Sequence, residues 1–227
     1  MRKSKYILAI VTAFLFTILC ACAENNEPSA ETPPQIENSD GNNNVNEPAA
    51  QGVTAGEVVI TFDYEKQSGS ASNQFAVWVE DMNGNYINTL FATKWTANGG
   101  YKNRPDSVAT WVEKSDIASM PDYYVDAIAG ATPKASGSQS YAWNLKDING
   151  DTVSPGEYQF FVEGTLRWKN YVLFSGVIKI GDEPATVTAE AEYNYEASGN
   201  QAALTSDSPE NSMIGTVTVS FTPTAND

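Results

Sequence analysis

Residues 143–162 read WNLKDINGDTVSPGEYQFFV. From Glu157 to Val162 the run alternates, placing Tyr158, Phe160 and Val162 on one face. Alternation at period two in aromatic and β-branched residues marks a half-buried strand. Ahead of it, Asn149-Gly150 has the composition of a type I′ turn, whose two central residues both need positive φ. Trp143, the Asn-Gly turn and Pro155-Gly156-Glu157-Tyr158 are expected to form a β-sandwich hairpin.

The same pattern recurs outward from this block. Val58–Tyr64 puts Ile60, Phe62 and Tyr64 on one face, and Phe75–Val79 puts Phe75, Val77 and Val79 on one face. Further strand-like runs cover Tyr86–Phe91, Tyr171–Ile180, Thr186–Tyr195 and Thr216–Phe221. Only Ser107–Ser119 has a helical pattern, with Ala109, Val112 and Ile117 roughly on one side. Strands do not alternate with long helices, which argues against a parallel α/β fold. The expected class is all-β, an immunoglobulin-like antiparallel β-sandwich with one short helical insertion. Val79–Tyr86 and Leu145–Thr152 echo each other through Asp-x-Asn-Gly. Asp147-x-Asn149-x-Asp151 invites a calcium reading, but an EF-hand loop needs Gly at its sixth place and Glu at its twelfth. Here Gly150 is fourth and Glu157 eleventh, so the turn reading prevails and no metal site is assigned.

The N-terminus reads as a targeting segment. Arg2, Lys3 and Lys5 precede an apolar run, Tyr6–Leu19, that is too short for a comfortable membrane span. Leu19-Cys20-Ala21-Cys22 resembles the lipobox of bacterial lipoproteins. That resemblance implies a signal peptide over 1–21 and a diacylglycerol on Cys22, anchoring the chain outside a bacterial membrane. Two acyl chains matter, because one alone anchors only marginally. Residues 22–55 hold few apolar side chains and read as a disordered acidic tether, leaving 56–223 for the sandwich.

Composition removes several chemistries. The formal net charge is −15, and loss of Arg2, Lys3 and Lys5 makes it more negative, which opposes nucleic-acid binding. No Cys follows Cys22, so the folded part has no disulfide and no thiolate. The chain has no His, which excludes imidazole ligands and a Ser-His-Asp triad. No acidic pair is singled out by spacing, so no catalytic residue is assigned.

Gln74–Asp81, Gly84 and Thr89–Phe91 form the start of a longer ordered set. Lys94-Trp95, Gly100-Tyr101, Arg104-Pro105 and Trp111 continue it, followed by Asp126, Gly130-Ala131-Thr132 and the Trp143–Tyr158 block. Together they resemble a family of exported bacterial proteins catalogued as domain of unknown function 2271, over roughly residues 57 to 222. The last block also resembles the immunoglobulin-like module of the flagellar hook-capping protein. On that likeness Trp143 packs between sheets and Gly156 opens a strand. The family resemblance implies a context, since such domains often accompany exported flavin carriers and membrane redox proteins.

Two candidate sites remain. Asp126-x-x-x-Gly130-Ala131-Thr132 resembles the sequence at which a flavin transferase joins FMN phosphate to a Thr hydroxyl. Ala129 stands where that pattern usually has a hydroxyl residue, and the alternative is a tight loop leading to the Trp143 strand. Lys94, Trp95, Tyr101, Lys102, Arg104 and Trp111 form a basic-aromatic cluster suited to a ligand carrying a carboxylate or phosphate and a ring. The competing account is an insertion pinned by its own aromatics. The expected function is a non-enzymatic, lipid-anchored extracytoplasmic binding or assembly module beside flavin-linked redox proteins, with no resident cofactor. The alternative is a covalent FMN carrier through Thr132.

Overall fold

The computed structural model describes residues 55–68 and 73–224, all within one compact unit spanning Glu47–Asp227. The stretches read as a signal peptide and a tether, Cys22 among them, lie outside the described residues except for Ala55.

Among the described residues ten strands make two sheets. In chain order they are β1 (Gly56–Tyr64), β2 (Gln74–Asp81), β3 (Tyr86–Thr93), β4 (Ala129–Gly130) and β5 (Gly137–Trp143), then β6 (Gly156–Thr165), β7 (Tyr171–Ile180), β8 (Ala185–Thr188), β9 (Glu190–Asn194) and β10 (Thr218–Pro223). The four-stranded sheet runs β5-β1-β10-β8 and the six-stranded sheet β4-β3-β2-β6-β7-β9. Among the described strands only the β3–β4 pair is parallel. Between the sheets lie Val58, Ile60 and Phe62 from β1, Phe75, Val77 and Val79 from β2, and Tyr158, Phe160 and Val162 from β6. The period-two residues therefore face one another across an apolar core, as an all-β sandwich requires.

Three features depart from the sequence reading. The first is the 143–162 block. Trp143 is buried and Tyr158, Phe160 and Val162 face the core, but β5 and β6 belong to different sheets. The block is a crossover between sheets, not a hairpin. Its corner is a miniature loop in which Lys146 bridges Thr152 and the Trp143 indole N–H donates to the Lys146 carbonyl at 2.8 Å.

The second concerns the echoed turns. Gly84 (φ 79°) and Gly150 (φ 84°) adopt positive φ, whereas Asn83 and Asn149 do not. Neither is a type I′ turn. In each the Asp carboxylate organises the loop: Asp81 Oδ1 accepts from the Asn83 and Asn85 N–H groups, and Asp147 Oδ1 from those of Asn149 and Asp151. A side chain that bonds its own backbone two residues on replaces the need for left-handed Asn. These bonds hold the Asp81 carboxyl below its ordinary value, through Asn85 first and Asn83 as well. At Asp147 the slight burial pulls upward, but the loop N–H groups outweigh it and the carboxyl is again lowered.

The third is the 186–195 run. It divides into β8, paired with β10, and β9, paired with β7. At the switch the Ala189 N–H donates to the Val217 carbonyl at 2.9 Å. No Gly or Pro marks this change of sheet, so it reads as one strand.

The insertion is larger than one helix. It holds α1 (Lys94–Ala97), α2 (Ala109–Ser115) and α3 (Asp122–Ile128), with 3-10 turns at Gly100–Lys102 and Ile117–Ser119. This layer covers the outer face of the six-stranded sheet. Ala76 and Trp78 of β2 join Trp111, Ile117, Tyr124 and Ile128 in a second apolar cluster. Central strand β2 is consequently buried on both faces.

Candidate functional site

The helical layer is fastened to the sheet by polar groups in the seam between them. Glu163 on β6 is fully buried. Its Oε2 accepts the Trp111 N–H at 2.9 Å and its Oε1 accepts the Thr110 N–H at 3.3 Å. Helix α2 has no side-chain cap of its own, and Val108 before it sits at φ 51°. A carboxylate from the sheet thus satisfies N–H groups that a helix start leaves open. Burial pushes the Glu163 carboxyl up to about 7, and the bonds from Trp111 and Thr110 offset that only in part. The Thr165 hydroxyl accepts the Val108 N–H at 2.8 Å, holding the turn just before the helix.

Glu80 on β2 is the second buried acid. It accepts the Trp78 indole N–H and the Lys114 ammonium, both at 2.8 Å. Trp78 in turn stacks on Phe161, with ring centroids 5.0 Å apart.

A third set of bonds forms a directed chain. The Trp111 indole can only donate, and it meets Thr89 Oγ1 at 2.7 Å. The Asn88 side-chain amide oxygen Oδ1 can only accept, and it meets the Tyr124 hydroxyl at 3.0 Å. Thr89, Tyr86 and Tyr124 link these ends through hydroxyl contacts. Every hydrogen must therefore point from Trp111 through Thr89, Tyr86 and Tyr124 to Asn88. Two bulges between β2 and β3, at Val77/Trp78 and Val79/Glu80, lie beside this chain. Bulges commonly re-aim side chains in this way. Burial drives the Tyr86 phenol strongly upward, with its neighbour Tyr124 adding to the shift.

The basic-aromatic cluster is not one surface. Trp111 is fully buried in the seam, so it is removed from the ligand-facing set: its indole is a strut of the directed chain. Lys94 and Trp95 are exposed on α1, with the Trp95 ring packed over Gly100. Tyr101 and Lys102 line an open groove of about 470 Å³ that also reaches Met120, Asp122 and Asp126. The fold thus joins Tyr101 to the first residue of the Asp126–Thr132 stretch. Arg104 turns elsewhere. It donates from Nη2 to the Trp168 carbonyl at 2.7 Å and lines a separate pocket of about 350 Å³. Trp168, on the β6–β7 turn, was not legible as a site residue, because nothing in its local sequence links it to Arg104.

Gly130 lies on edge strand β4, where an added Cβ would come within 2.0 Å of the Phe91 ring. Close packing against β3 explains this glycine. Thr132 follows on an irregular, half-exposed segment, and its hydroxyl accepts from Gln74 Nε2 at 3.3 Å. Gln74 also accepts from the Thr96 hydroxyl at 3.0 Å, so α1 and the Thr132 segment share one anchor on β2. Among the described residues no group of three acidic side chains is placed to hold a metal ion. The Asp147 carboxylate is committed to its own loop.

These features define an all-β sandwich with a polar-fastened helical layer on one face. The chain belongs to a family described as predicted periplasmic protein, domain of unknown function 2271, whose profile matches residues 56–197. That match covers the inter-sheet crossover, the insertion and both candidate sites. Comparison with curated proteins and with solved structures found no match in either. Among the described residues no helix is long and apolar enough to cross a membrane.

Proposed function

We propose that this protein is a non-enzymatic extracytoplasmic binding or assembly module whose working face is the outer surface of the helical layer. The observation that carries this reading is how the layer is used. The sheet's buried acids, Glu80 and Glu163, fasten the layer from beneath, while the layer's outer side presents Tyr123 at 77% exposure and Trp95 at 46%. An irregular segment held rigidly by a scaffold is a common arrangement for binding. The tether over 22–55 and a lipid on Cys22 would hold this face away from the membrane, and exported flavoproteins or membrane redox proteins are the proposed partners.

A photo-cross-linking residue in place of Tyr123 tests the face in cells. An adduct from position 123, with none from Ile148 at the inter-sheet corner, is expected. Adducts only from position 148, or from neither, would sink the reading. Incorporation of labelled palmitate, lost in Cys22→Ala, tests the anchor.

Thr132 supports a second reading, covalent attachment of FMN. The observation in its favour is its half-exposed position on an irregular segment at a sheet edge. Intact mass after co-expression with a flavin transferase decides it. An FMN-sized increment that disappears in Thr132→Ala supports the carrier, and an unmodified mass removes it.

A further inference from the structure

The pocket beside Arg104 lies apart from the groove and from Thr132, and five residues shape it: Asn103, Arg104, Asp106, Trp168 and Ser198. Its volume, about 350 Å³, suits a small molecule. Three observations mark it as built for a ligand.

Arg104 and Asp106 stand two residues apart with Pro105 between them, whose ring fixes φ and so limits their relative placement. The Asp106 charge acts on the guanidinium, yet no ion pair joins the two. Among the described residues the Asp106 carboxylate has no hydrogen bond and the Arg104 guanidinium has one, to the Trp168 carbonyl. That bond uses one of five donors and leaves most of the fork for the pocket. On a chain with a net charge of −15, a half-buried arginine with no ion pair among the described residues is conspicuous.

Trp168 is the third observation. It occupies the second position of the turn Arg167–Asn170, closed by the Asn170 N–H on the Arg167 carbonyl at 2.9 Å. Its φ is +57°. Positive φ at that position belongs to turns that favour Gly, Asn or Asp, and a bulky side chain there is strained. Strain of this kind, held in place by an arginine bond at a pocket wall, points to a use outside folding.

We propose that this pocket binds small zwitterionic ligands of the α-amino acid type, with Arg104 taking the carboxylate, Asp106 taking the ammonium and Trp168 forming the wall against the side chain. Asp106 discriminates against dianions such as phosphate, and Arg104 against simple amines. A ligand carrying both charges satisfies each residue, which is how unpaired charges give selectivity. Asn103 and Ser198 supply further polar contacts at the rim.

Titration calorimetry of the purified chain tests this with three probes: L-phenylalanine, 3-phenylpropionate and phenethylamine. L-Phenylalanine is expected to bind about tenfold or more tighter than either singly charged analogue. Asp106→Asn should erase its advantage over 3-phenylpropionate, and Arg104→Lys should weaken it about tenfold. Trp168→Gly should weaken binding while raising the melting temperature, because it relieves the turn. Equal binding of 3-phenylpropionate and L-phenylalanine, unchanged in Asp106→Asn, would replace the proposal with a plain anion site. The absence of saturable L-phenylalanine binding would overturn it, and so would L-phenylalanine affinity unchanged in both Asp106→Asn and Arg104→Lys. Thermal melts of each variant show that the fold is retained. None of these outcomes bears on cross-linking at position 123.

Discussion

Strand β2 has two faces that are held in different ways. Toward the other sheet, Phe75, Val77 and Val79 meet an apolar core. Toward the helical layer, Gln74 and Glu80 flank Ala76 and Trp78, and Glu163 and Thr165 of neighbouring β6 complete a seam of buried polar side chains. The core is held by area removed from water, which is non-directional and tolerant. The seam depends on donors and acceptors that must all be matched, so losing one leaves its partner unsatisfied. A sandwich can thus carry a layer that is packed yet separately adjustable.

The largest expected effect tests the core side. Trp143→Ala removes a fully buried indole and its bond to Lys146, and should cost about 3–5 kcal/mol in chemical denaturation. Both faces should be lost in one transition, and two separate transitions would show that the seam unfolds alone.

Glu163 tests the seam through pH. Its folded pKa of about 7 lies above the ordinary 4.5, so the folded chain keeps a proton that the unfolded chain releases. Stability from this group is fully present below pH 4.5 and is lost as pH rises through about 7. The swing is on the order of 3 kcal/mol. Glu163→Gln should flatten the curve in that window. Asp81 and Asp147, held low, act in the opposite sense and only at more acid pH, where their contribution is lost as pH falls. An unchanged profile in Glu163→Gln would show that the helix cap is not what titrates.

Gly130→Ala should cost about 1–3 kcal/mol by driving a methyl into Phe91, and thermal melting reads it directly. Lys114→Met separates the buried acid from its exposed partner. Because Lys114 is 42% exposed, solvent screens the pair and the loss should be about 1 kcal/mol. Hydrogen exchange at the Trp111 indole should quicken in this variant, while that at Trp143 stays slow. Asp147→Ala should cost the least, on the order of 1 kcal/mol, by unmaking one loop.

The same contrast explains what was legible beforehand. Alternating residues such as Ile60, Phe62 and Tyr64 announce their face because apolar burial leaves a periodic trace. Glu163 leaves none. It sits in a run of strand residues, and its partners, Thr110 and Trp111, lie 53 and 52 positions away. Trp111 looked like a ligand-facing aromatic because composition does not reveal which side of an insertion faces inward. The crossover at 143–162 read as a hairpin because a turn motif records a local bend and not the sheet its second strand joins. Arg104 was picked out from its type, but Trp168, its partner in space, was not.

Order of assembly follows from the strand arrangement. The chain changes sheet between β1 and β2, β4 and β5, β5 and β6, β7 and β8, β8 and β9, and β9 and β10. First strand β1 lies beside last strand β10, with Thr61 paired to Thr218. The four-stranded sheet cannot close until nearly the whole chain is available, and topologies dominated by distant pairings fold slowly. A chain whose closure waits on its last strand stays open, and able to pass a narrow passage, until that strand arrives.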